Sequence, residues 1–370
     1  MNYLVCVDSF KGSLSSYEAG KAICEGIEKK GNKTVLCPMA DGGEGTTQAL
    51  STLEGAVLRE IYVSNPLMRK IKCEYVIINK TLAVMEMASA CGLYLISKNE
   101  QNPLYTTTYG LGEMIIDALN QGIRDFIIGI GGSSTNDGGS GMLSALGVNL
   151  LDKEGKNVRQ GNIGLSDLEA IDITGIDKRI KESKFQIACD VKNTLLGKNG
   201  ATYVFSKQKG ARDEDLPKLE ESLKHFGDKT KQLLPEADYE KEGTGAAGGL
   251  GFGLLAYLNA KLSPGAELII ERTGIEEKIK NCDVVVTGEG KLDSQSLMGK
   301  APYTVAMLGK KYNKKTVAVC GIIEKSDKLN EVFDLCVQTK DEKMSTEEAM
   351  QRDNAIKACI KAGEKVAEQI

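Results

Sequence analysis

The sequence of 370 residues contains no tryptophan and a single histidine, His225. This histidine lies in the charged stretch PKLEESLKHFGDKTK, for which we expect a solvated helix face. Histidine-based acid–base chemistry, catalytic triads and histidine metal sites all require imidazoles that are held in place. The sequence therefore argues against these classes of site.

The chain also lacks an excess of charge of either sign. Its 47 basic and 51 acidic residues are spread along the sequence and give a formal net charge of -4. Neither a basic face for nucleic acid nor a polybasic arm for a membrane surface is visible. We therefore expect a small molecule as the partner, with no nucleic acid and no membrane, and a protein that is a monomer or a homodimer.

Signals of export are missing as well. No window approaches about 18 uncharged apolar residues, and the start MNYLVCVDSFKGS has neither a basic region nor a long apolar run. The ten cysteines form no CxxC pair, which favours buried, reduced thiols in or beside apolar strands. Those that carry this interpretation are Cys6, Cys37, Cys73, Cys189, Cys282 and Cys320. We expect a cytoplasmic protein.

Strand–loop–helix units occur at both ends of the chain. The strand YLVCV precedes the loop DSFKGS and a helix opened by Ser15, with Glu18 at the capping-box position. The strand KTVLC precedes PMADGGEG. The stretch DVVVTGEGKLDSQSLMGKAP precedes a helix over 305–311 and the strand KTVAVCG. Such units predict parallel strands with helices on both faces of a doubly wound sheet.

The middle of the chain follows a different pattern. From REIYVSNPLMRKIKCEYVII to TLAVMEMA, strands joined by turns at 65–66 and 79–80 indicate antiparallel pairing. A helix over 111–120, a glycine loop, the strand FQIACDV, a helical stretch from 215 to about 234 and the small-residue helix GAAGGLGFGLLAYLNA follow. One final helix, with a second capping box at Ser345 and Glu348, is expected only to pack.

These patterns predict an α/β fold with two domains. The first is a doubly wound sheet built from both chain ends, residues 1–66 and 281–370. The second is an inserted α/β domain with a mixed sheet, residues 67–280. Loops at strand ends would then face each other across an active-site cleft between the domains.

Two common nucleotide motifs are not met. A Walker A loop reads GxxxxGK followed by Ser or Thr, and none of the three GK pairs satisfies both requirements. GTGAAG, residues 243–248, matches GxGxxG, but it follows PEADYEKE rather than a buried strand. A dinucleotide site at that position is therefore disfavoured.

Four other loops carry acids, hydroxyls or lysine beside glycine at predicted strand ends. Each by itself is typical of a turn with a helix cap. Together they supply what phosphoryl transfer needs, namely carboxylates for Mg²⁺ and amides and lysine for phosphates. The loops are DSFKGS (8–13), ADGGEGT (40–46), GGSSTNDGG (131–139) and TGEGKLD (287–293).

Asp190 lies at the end of the predicted strand FQIACDV. At a strand end its carboxylate is placed to act as a base toward a substrate hydroxyl. A helix-capping role toward VKNTLL is an equal alternative from the residues alone.

Several longer strings resemble the successive motifs of the type-I glycerate kinase family, in that family's order. They are DSFKGSLSS, PMADGGEGT, GIGGSSTNDGGSGML, ACDVKN with GKNGA, QKGA, GAAGGLGFG and VVTGEGKLDSQSLMGKAP, and they span nearly the whole chain. Two departures lie beside the expected cleft. Thr194 stands where the family commonly has proline, and Ser206-Lys207 where it commonly has Gly-Pro.

The resemblance implies a flavodoxin/Rossmann-like fold for the domain built from both chain ends. It also implies transfer of the γ-phosphoryl group of ATP to D-glycerate with Mg²⁺, 2-phosphoglycerate being favoured over 3-phosphoglycerate. We assign Asp190 as the base and Lys11 as the charge-neutralising cation. Phosphate or substrate binding falls to Ser9, Gly42, Gly43, Ser133, Ser134, Thr135 and Asn136. The candidates for holding Mg²⁺ are Asp8, Asp41, Glu289 and Asp293, of which we expect two or three to do so.

Two alternatives remain open at this point. One is a kinase for another small hydroxy acid, and the other is a non-catalytic two-domain sensor of organic acids. The sensor leaves the excess of carboxylates unexplained, because they repel an anionic ligand unless a metal intervenes.

Overall fold

The structure is a computed structural model that describes residues 1–40, 42–293, 296–324 and 326–370. The predicted metal ligand Asp41 lies outside the described residues. The chain forms two compact units. Unit 1 comprises Met1–Asp41, Gln48–Glu54 and Pro264–Ile370, and unit 2 comprises Gly42–Thr47 and Gly55–Ser263. Among the described helices, none has the length and apolar composition needed to cross a membrane.

The strands are numbered in chain order. They are β1 Asn2–Val7, β2 Lys33–Leu36, β3 Ala56–Ser64, β4 Lys70–Ile78, β5 Leu82–Glu86, β6 Asp125–Gly129, β7 Asn149–Leu151, β8 Ala170–Asp172, β9 Lys184–Ala188, β10 Lys261–Ser263, β11 Val284–Gly288, β12 Lys291–Leu292, β13 Lys315–Cys320, β14 Ile322–Ile323 and β15 Leu335–Gln338.

The α-helices are numbered in the same way. They are α1 Ser16–Glu28, α2 Thr46–Leu50, α3 Ala88–Cys91, α4 Tyr109–Asn120, α5 Ser140–Ala145, α6 Asn162–Leu165, α7 Ala201–Phe205, α8 Leu216–Leu233, α9 Ala246–Leu258, α10 Gly265–Thr273, α11 Ile275–Lys280, α12 Ala301–Lys311, α13 Asp327–Val332, α14 Thr346–Met350 and α15 Arg352–Gln369. Short 3₁₀ segments occur at Leu93–Leu95, Lys98–Glu100, Lys178–Glu182, Lys207–Lys209, Asp213–Asp215 and Ser296–Met298.

Unit 1 is built on a five-stranded sheet of order β15-β13-β11-β1-β2. Every pairing in this sheet is parallel, so all carboxyl ends lie at one edge. The chain moves from β1 to β2 in one direction and from β11 to β13 and β15 in the other. The order therefore reverses between β1 and β11, which is the topological switch point of a doubly wound sheet.

Helices cover both faces of this sheet, as predicted. One face buries Tyr3, Val5 and Val7 of β1 against apolar side chains of α1 and α15. The other buries Ala318 and Cys320 of β13 against α12 and α13. The predicted capping box of α1 is present, because the Ser15 hydroxyl accepts from the Glu18 amide and the Glu18 carboxylate accepts from the Ser15 amide.

Unit 2 contains a six-stranded mixed sheet of order β10-β9-β6-β5-β4-β3. The predicted antiparallel meander is confirmed, since β3 pairs with β4 and β4 with β5 in that sense. From β5 onward the sheet is parallel through β6 and β9 to β10. The expected α/β fold with one doubly wound and one mixed sheet is thus confirmed.

The bounds of the units differ from the predicted division of the chain at residues 66 and 280. Strand β3 belongs to unit 2, because it pairs with β4 along its whole length, from Ala56 opposite Ile78 to Ser64 opposite Lys70. Helices α10 and α11 belong to unit 1, where both pack on α12. The predicted cleft between the domains stays a prediction.

Three sequence-based expectations need correction. The final helix is interrupted at Gln351, whose ψ of 130° is extended, so α14 and α15 are separate helices. Strand β9 ends at Ala188, two residues before Asp190, because the pairing with β6 stops there. Helix α9 contains left-handed residues 247–249, where the Cβ position built on Gly248 would lie 2.0 Å from the Thr135 carbonyl oxygen.

Helices α1 and α15 approach each other closely through glycine. The Cβ position built on Gly363 would lie 2.2 Å from the Ile23 carbonyl oxygen and 3.1 Å from the Gly26 Cα. Both atoms belong to the backbone and have little freedom to move. Any side chain at position 363 would therefore separate the two helices and disturb the core beneath them.

We expect Gly363→Val to lower the free energy of unfolding by about 1–3 kcal/mol or more, because it overpacks this contact. The matched control is Lys361→Val, which introduces the same side chain at an exposed position of the same helix. Chemical denaturation of both variants measures the difference. Equal stability of the two variants would contradict the close contact.

Candidate active site

In unit 2 the glycine-rich segment 42–47 crosses the carboxyl ends of β6 and β9. The Cβ position built on Gly129 would lie 1.9 Å from the Gly42 carbonyl oxygen, and that built on Gly42 would lie 2.2 Å from the Ala188 Cβ. Gly42 also has a φ of +82°, a left-handed conformation that favours glycine. The predicted binding residue Gly42 therefore lies directly over two strand ends. The Cβ position built on Gly131 of the next loop would lie 3.5 Å from the Gly43 Cα, so Gly43 borders that loop.

Glu86, the last residue of β5, fixes this segment. Its carboxylate accepts from the Gly45 amide at 3.2 Å and from the Thr47 amide at 2.5 Å, and only 7% of the residue is exposed. Burial raises its pKa, while these two hydrogen bonds favour the charged form. This role of Glu86 was not predicted from the sequence. The signal available was one acidic residue at the end of the apolar run TLAVME.

In the loop after β6, most predicted binding side chains point inward. Ser134, Thr135 and Asn136 are completely buried. The Ser134 hydroxyl donates to the Cys91 carbonyl oxygen at 2.9 Å, and the Asn136 amide donates to the Ser206 hydroxyl at 2.9 Å. These side chains hold the loop in place. The surface left for a ligand consists of Gly131 and Gly132, which are exposed, and Ser133, which is half-buried.

Asp137 anchors the same loop. Its carboxylate accepts from the Thr108 amide at 2.8 Å, the Thr108 hydroxyl at 2.9 Å and the amides of Gly139 and Gly141 at 3.2 Å each. Full burial raises its pKa, and these bonds lower it. The loop is therefore rigid before any ligand arrives.

Lys209 reaches the loop from the 3₁₀ segment that ends in the QKGA motif. Its ammonium donates to the Ser133 hydroxyl at 2.8 Å and to the Thr135 carbonyl oxygen at 2.7 Å, and the residue is 2% exposed. Burial lowers its pKa to about 7, against the opposing effect of the Asp137 charge. Because the Ser133 oxygen accepts a hydrogen bond from Lys209, the Ser133 hydroxyl proton points away from Lys209. It can then donate to a ligand. No role for Lys209 was predicted from the sequence.

The proposed base Asp190 is exposed and lies two residues beyond the end of β9. The segment 190–194 that follows is not helical, so capping of a helix over VKNTLL does not explain it. The carboxyl ends of β5, β6 and β9 thus present Glu86, the 131–133 loop surface and Asp190 in one part of unit 2.

In unit 1 the predicted residues meet at the switch point of the sheet. Asp8 follows β1 and is 7% exposed, and its amide donates to the Gly288 carbonyl oxygen of β11 at 2.8 Å. Glu289 follows β11 directly. The Cβ position built on Gly290 would lie 3.5 Å from the Lys11 amide nitrogen, so the two loops are in contact. Asp8, Ser9, Lys11, Glu289 and Asp293 all line one cavity of about 660 Å³.

The carboxylates of this cavity suit a metal that is shared with a ligand. Among the residues that the structure describes, no three His, Cys, Asp or Glu side chains are grouped to hold a metal ion by themselves. Mg²⁺ is commonly held by one or two carboxylates together with substrate phosphates. Asp8, Glu289 and Asp293 offer this donor chemistry, although Asp293 also lies 3.7 Å from the Lys291 ammonium.

His225 is half-buried rather than solvated, which corrects the sequence-based expectation. Its Nε2 lies 2.6 Å from the Leu168 carbonyl oxygen, so the side chain links α8 to the segment that precedes β8. This placement gives the imidazole a structural partner.

Comparison with known proteins gives matches over most or all of the chain. The model of the glycerate kinase family matches residues 3–370. A glycerate kinase of Halalkalibacterium halodurans is 40% identical over 96% of this chain and 95% of that protein. The glycerate 2-kinase of Escherichia coli is 42% identical over 87% of this chain and 85% of that protein. A crystal structure of a proposed glycerate kinase 2 from Salmonella typhimurium LT2 superposes with a TM-score of 0.91 at 36% identity, covering 100% of this chain and 97% of that one.

Lys209 makes a pH-dependent contribution to stability that can be measured. Its folded pKa of about 7 lies below the ordinary value of 10.5, so unfolding takes up a proton between these two values. The contribution of Lys209 to stability therefore rises with pH across this window. We expect the stability of the Lys209→Met variant relative to the original protein to fall from pH 7 to pH 9, by up to about 1.4 kcal/mol for each pH unit.

Denaturation of both proteins at several pH values provides the test, because all other titrating groups cancel in the difference. Exposed Lys207, two residues away, supplies the control as Lys207→Met. If the difference in free energy of unfolding between Lys209→Met and the original protein does not change with pH, the buried position of Lys209 is contradicted.

Proposed function

Because this chain belongs to the glycerate kinase family, we propose that it is an ATP-dependent kinase that transfers the γ-phosphoryl group to D-glycerate, with Mg²⁺ as cofactor. The observation that carries the proposal is the common construction of the two units. In each, parallel strands end in glycine-containing loops that bear carboxylates, and a lysine lies beside the main chain of a loop. Amides and ammonium groups bind anions, and carboxylates accept protons or hold Mg²⁺.

Asp190 is the proposed base. Its exposed carboxylate accepts the proton of the glycerate 2-hydroxyl while that oxygen bonds to the γ-phosphorus and the bond from phosphorus to the ADP oxygen breaks. The 2-phosphate is favoured because the relative from Escherichia coli is named a glycerate 2-kinase. The product is then 2-phosphoglycerate.

Unit 2 supplies an anion-binding surface for this reaction. The amides of Gly131 and Gly132 are on exposed residues, and the Ser133 hydroxyl is oriented by Lys209. Such preorganised donors suit a carboxylate or a phosphate oxygen. Lys11 is the proposed cation that neutralises charge on the transferring group, from the cavity of unit 1.

Asp8, Glu289 and Asp293 are the described residues proposed to hold Mg²⁺, and Asp41 stays a prediction outside the described residues. When bound, Mg²⁺ neutralises negative charge on the β- and γ-phosphate oxygens. The cytoplasm is the proposed location, supported by ten cysteines that are all described and all free thiols.

The reaction itself is the first expected outcome. Protein, Mg-ATP and D-glycerate should yield ADP and 2-phosphoglycerate, with phosphorus NMR separating the 2-phosphate from the 3-phosphate. Excess EDTA should stop the reaction, and Mg²⁺ or Mn²⁺ should restore it. Full turnover in EDTA would contradict the role of the carboxylates, and absence of ADP with any hydroxy acid would favour a sensor.

Asp190→Asn should lower kcat by about 10²–10⁴ because it removes the proton acceptor but keeps the size of the side chain. The matched control is Asp167→Asn, another exposed aspartate of unit 2. A second control, His225→Gln, removes a structural hydrogen bond and should leave kcat near its original value. Unchanged melting temperatures of the two aspartate variants must accompany these results, and a folded Asp190→Asn enzyme with normal turnover would exclude Asp190 as the base.

A further inference from the structure

We propose that the cavity of unit 1 binds the phosphoryl donor, with the nucleoside against α14 and α15 and the triphosphate extending to the ends of β1 and β11. This inference rests on the proposed function, because it assigns the donor of that reaction to one place. The cavity of about 660 Å³ lies within the size range of small-molecule sites. All of its lining residues belong to unit 1.

The position of the cavity follows from the sheet. Its floor is formed by the loops after β1, β11 and β13 and by the end of β15. These are carboxyl ends of parallel strands, and they include the switch point between β1 and β11. Ligands of open α/β sheets bind at this place because the loops there diverge.

The charge of the lining favours a polyanion. Seven lysines line the cavity against four carboxylates, in a chain whose net charge is -4. Among the described residues, only Lys291 of these lysines pairs with carboxylates, those of Glu324 at 2.6 Å and Asp293 at 3.7 Å. The other six, which make no such pair, are Lys11, Lys300, Lys340, Lys357, Lys361 and Lys365. Excess positive charge in a concave site attracts a phosphate chain.

Helix α15 contributes both charge and flat apolar surface. Lys357, Lys361 and Lys365 recur at every fourth residue, so they form one stripe along the helix. Ala358 lies within the same lining face, between these lysines. Because the alanine side chain is small, this part of the cavity stays open. A planar ring of a ligand can occupy the open space.

Two exposed methionines, Met344 and Met350, form with Ala358 an apolar end of the cavity. Met344 is 36% exposed and Met350 is 40% exposed, although both line the cavity. Methionine offers an adaptable apolar surface for aromatic rings. A ligand that consists only of phosphate would leave these apolar side chains exposed to water, whereas a nucleoside would bury them.

The apolar end is attached to the loop that carries Lys11. The Ser13 hydroxyl donates to the Met350 carbonyl oxygen at 2.8 Å, and the Met350 Cε lies 2.9 Å from the Cβ position built on Gly12. Helix α14 is thereby held against the same loop that begins with Asp8. The nucleoside end and the catalytic end of the cavity are therefore joined by one short segment, residues 8–13.

The interruption at Gln351 gives α14 its own direction. The capping box of Ser345 and Glu348 starts α14, and Arg352 at the start of α15 pairs with Glu18 of α1 at 2.8 Å. These contacts fix both helices independently of a ligand. The wall is thus formed in advance, which lowers the entropy cost of binding.

Calorimetry on the full chain tests the proposal with ATP, ADP, adenosine, tripolyphosphate and D-glycerate as separate ligands. Ala358→Phe fills the cavity and should weaken ADP and adenosine binding at least tenfold, while D-glycerate binding stays unchanged. Ala170→Phe, at an exposed position of unit 2, is the matched control. Met350→Gln replaces an exposed side chain and should weaken adenosine and ADP in the same direction if Ala358→Phe does not fold.

The lysine stripe gives a second contrast. The double variant Lys357→Gln, Lys361→Gln should weaken ADP and tripolyphosphate several-fold but leave adenosine unaffected, because adenosine carries no phosphate. Photolabelling with 8-azido-ATP should mark peptides within residues 337–362.

Several results would overturn the inference. These are labelling confined to unit 2, unchanged ADP affinity in a folded Ala358→Phe variant, or tripolyphosphate that binds as tightly as ATP while adenosine does not bind. Phosphoglycerate formed at the original rate by Ala358→Phe would refute the site and leave the proposed function intact. Nucleotide binding at 337–362 without phosphorylation of D-glycerate would refute the function and leave the site intact.

Discussion

The direct contact of backbone with backbone at the strand ends is the constraint on which the candidate site of unit 2 depends. Gly129 ends β6 directly beneath the Gly42 carbonyl, and Gly42 lies on Ala188 at the end of β9. A side chain at either glycine would lift the crossing segment away from the sheet. Because the segment lies so close, the Glu86 carboxylate can accept from its amides. Exposed main chain is thereby held at the edge where parallel strands end.

Buried polar groups make this arrangement rigid. A buried donor or acceptor without a partner costs about 1–3 kcal/mol, so the inward side chains of the 131–139 loop favour one conformation in which their partners are supplied. The Asp137 carboxylate accepts hydrogen bonds from an amide and a hydroxyl of Thr108. The Lys209 ammonium donates to the Ser133 hydroxyl and to the Thr135 carbonyl oxygen. The ligand-facing surface is consequently small and consists of glycine amides and one oriented hydroxyl.

Unit 1 also has parallel strands whose ends carry loops, but its ligand-binding surface differs from that of unit 2. Its parallel sheet also ends in loops with carboxylates, but α14 and α15 add a lysine-rich and apolar wall beside them. The result is a cavity of about 660 Å³ beside the strand ends of unit 1. The difference follows from short segments outside the sheet, since the sheets themselves share parallel strands and buried apolar cores.

The sequence by itself determined the element types wherever the cause is local. Apolar runs located the long strands of both sheets, and the capping boxes at Ser15 and Ser345 marked the starts of two helices, because these interactions join residues three positions apart. The two-residue and three-residue strands and β15 were not predicted, since their apolar patterns are too short. The sequence also showed which loops carry acids, hydroxyls and lysine.

Only the tertiary structure decided which way those loop side chains point. Ser134 and Asn136 turn inward because their partners, Cys91 and Ser206, come from segments 43 and 70 residues away. Lys209 reaches Ser133 across 76 residues, and Met350 meets the loop of Lys11 from the other end of the chain. No local pattern reports such partners, because they are brought together by the folded sheets and helices rather than by their spacing in sequence.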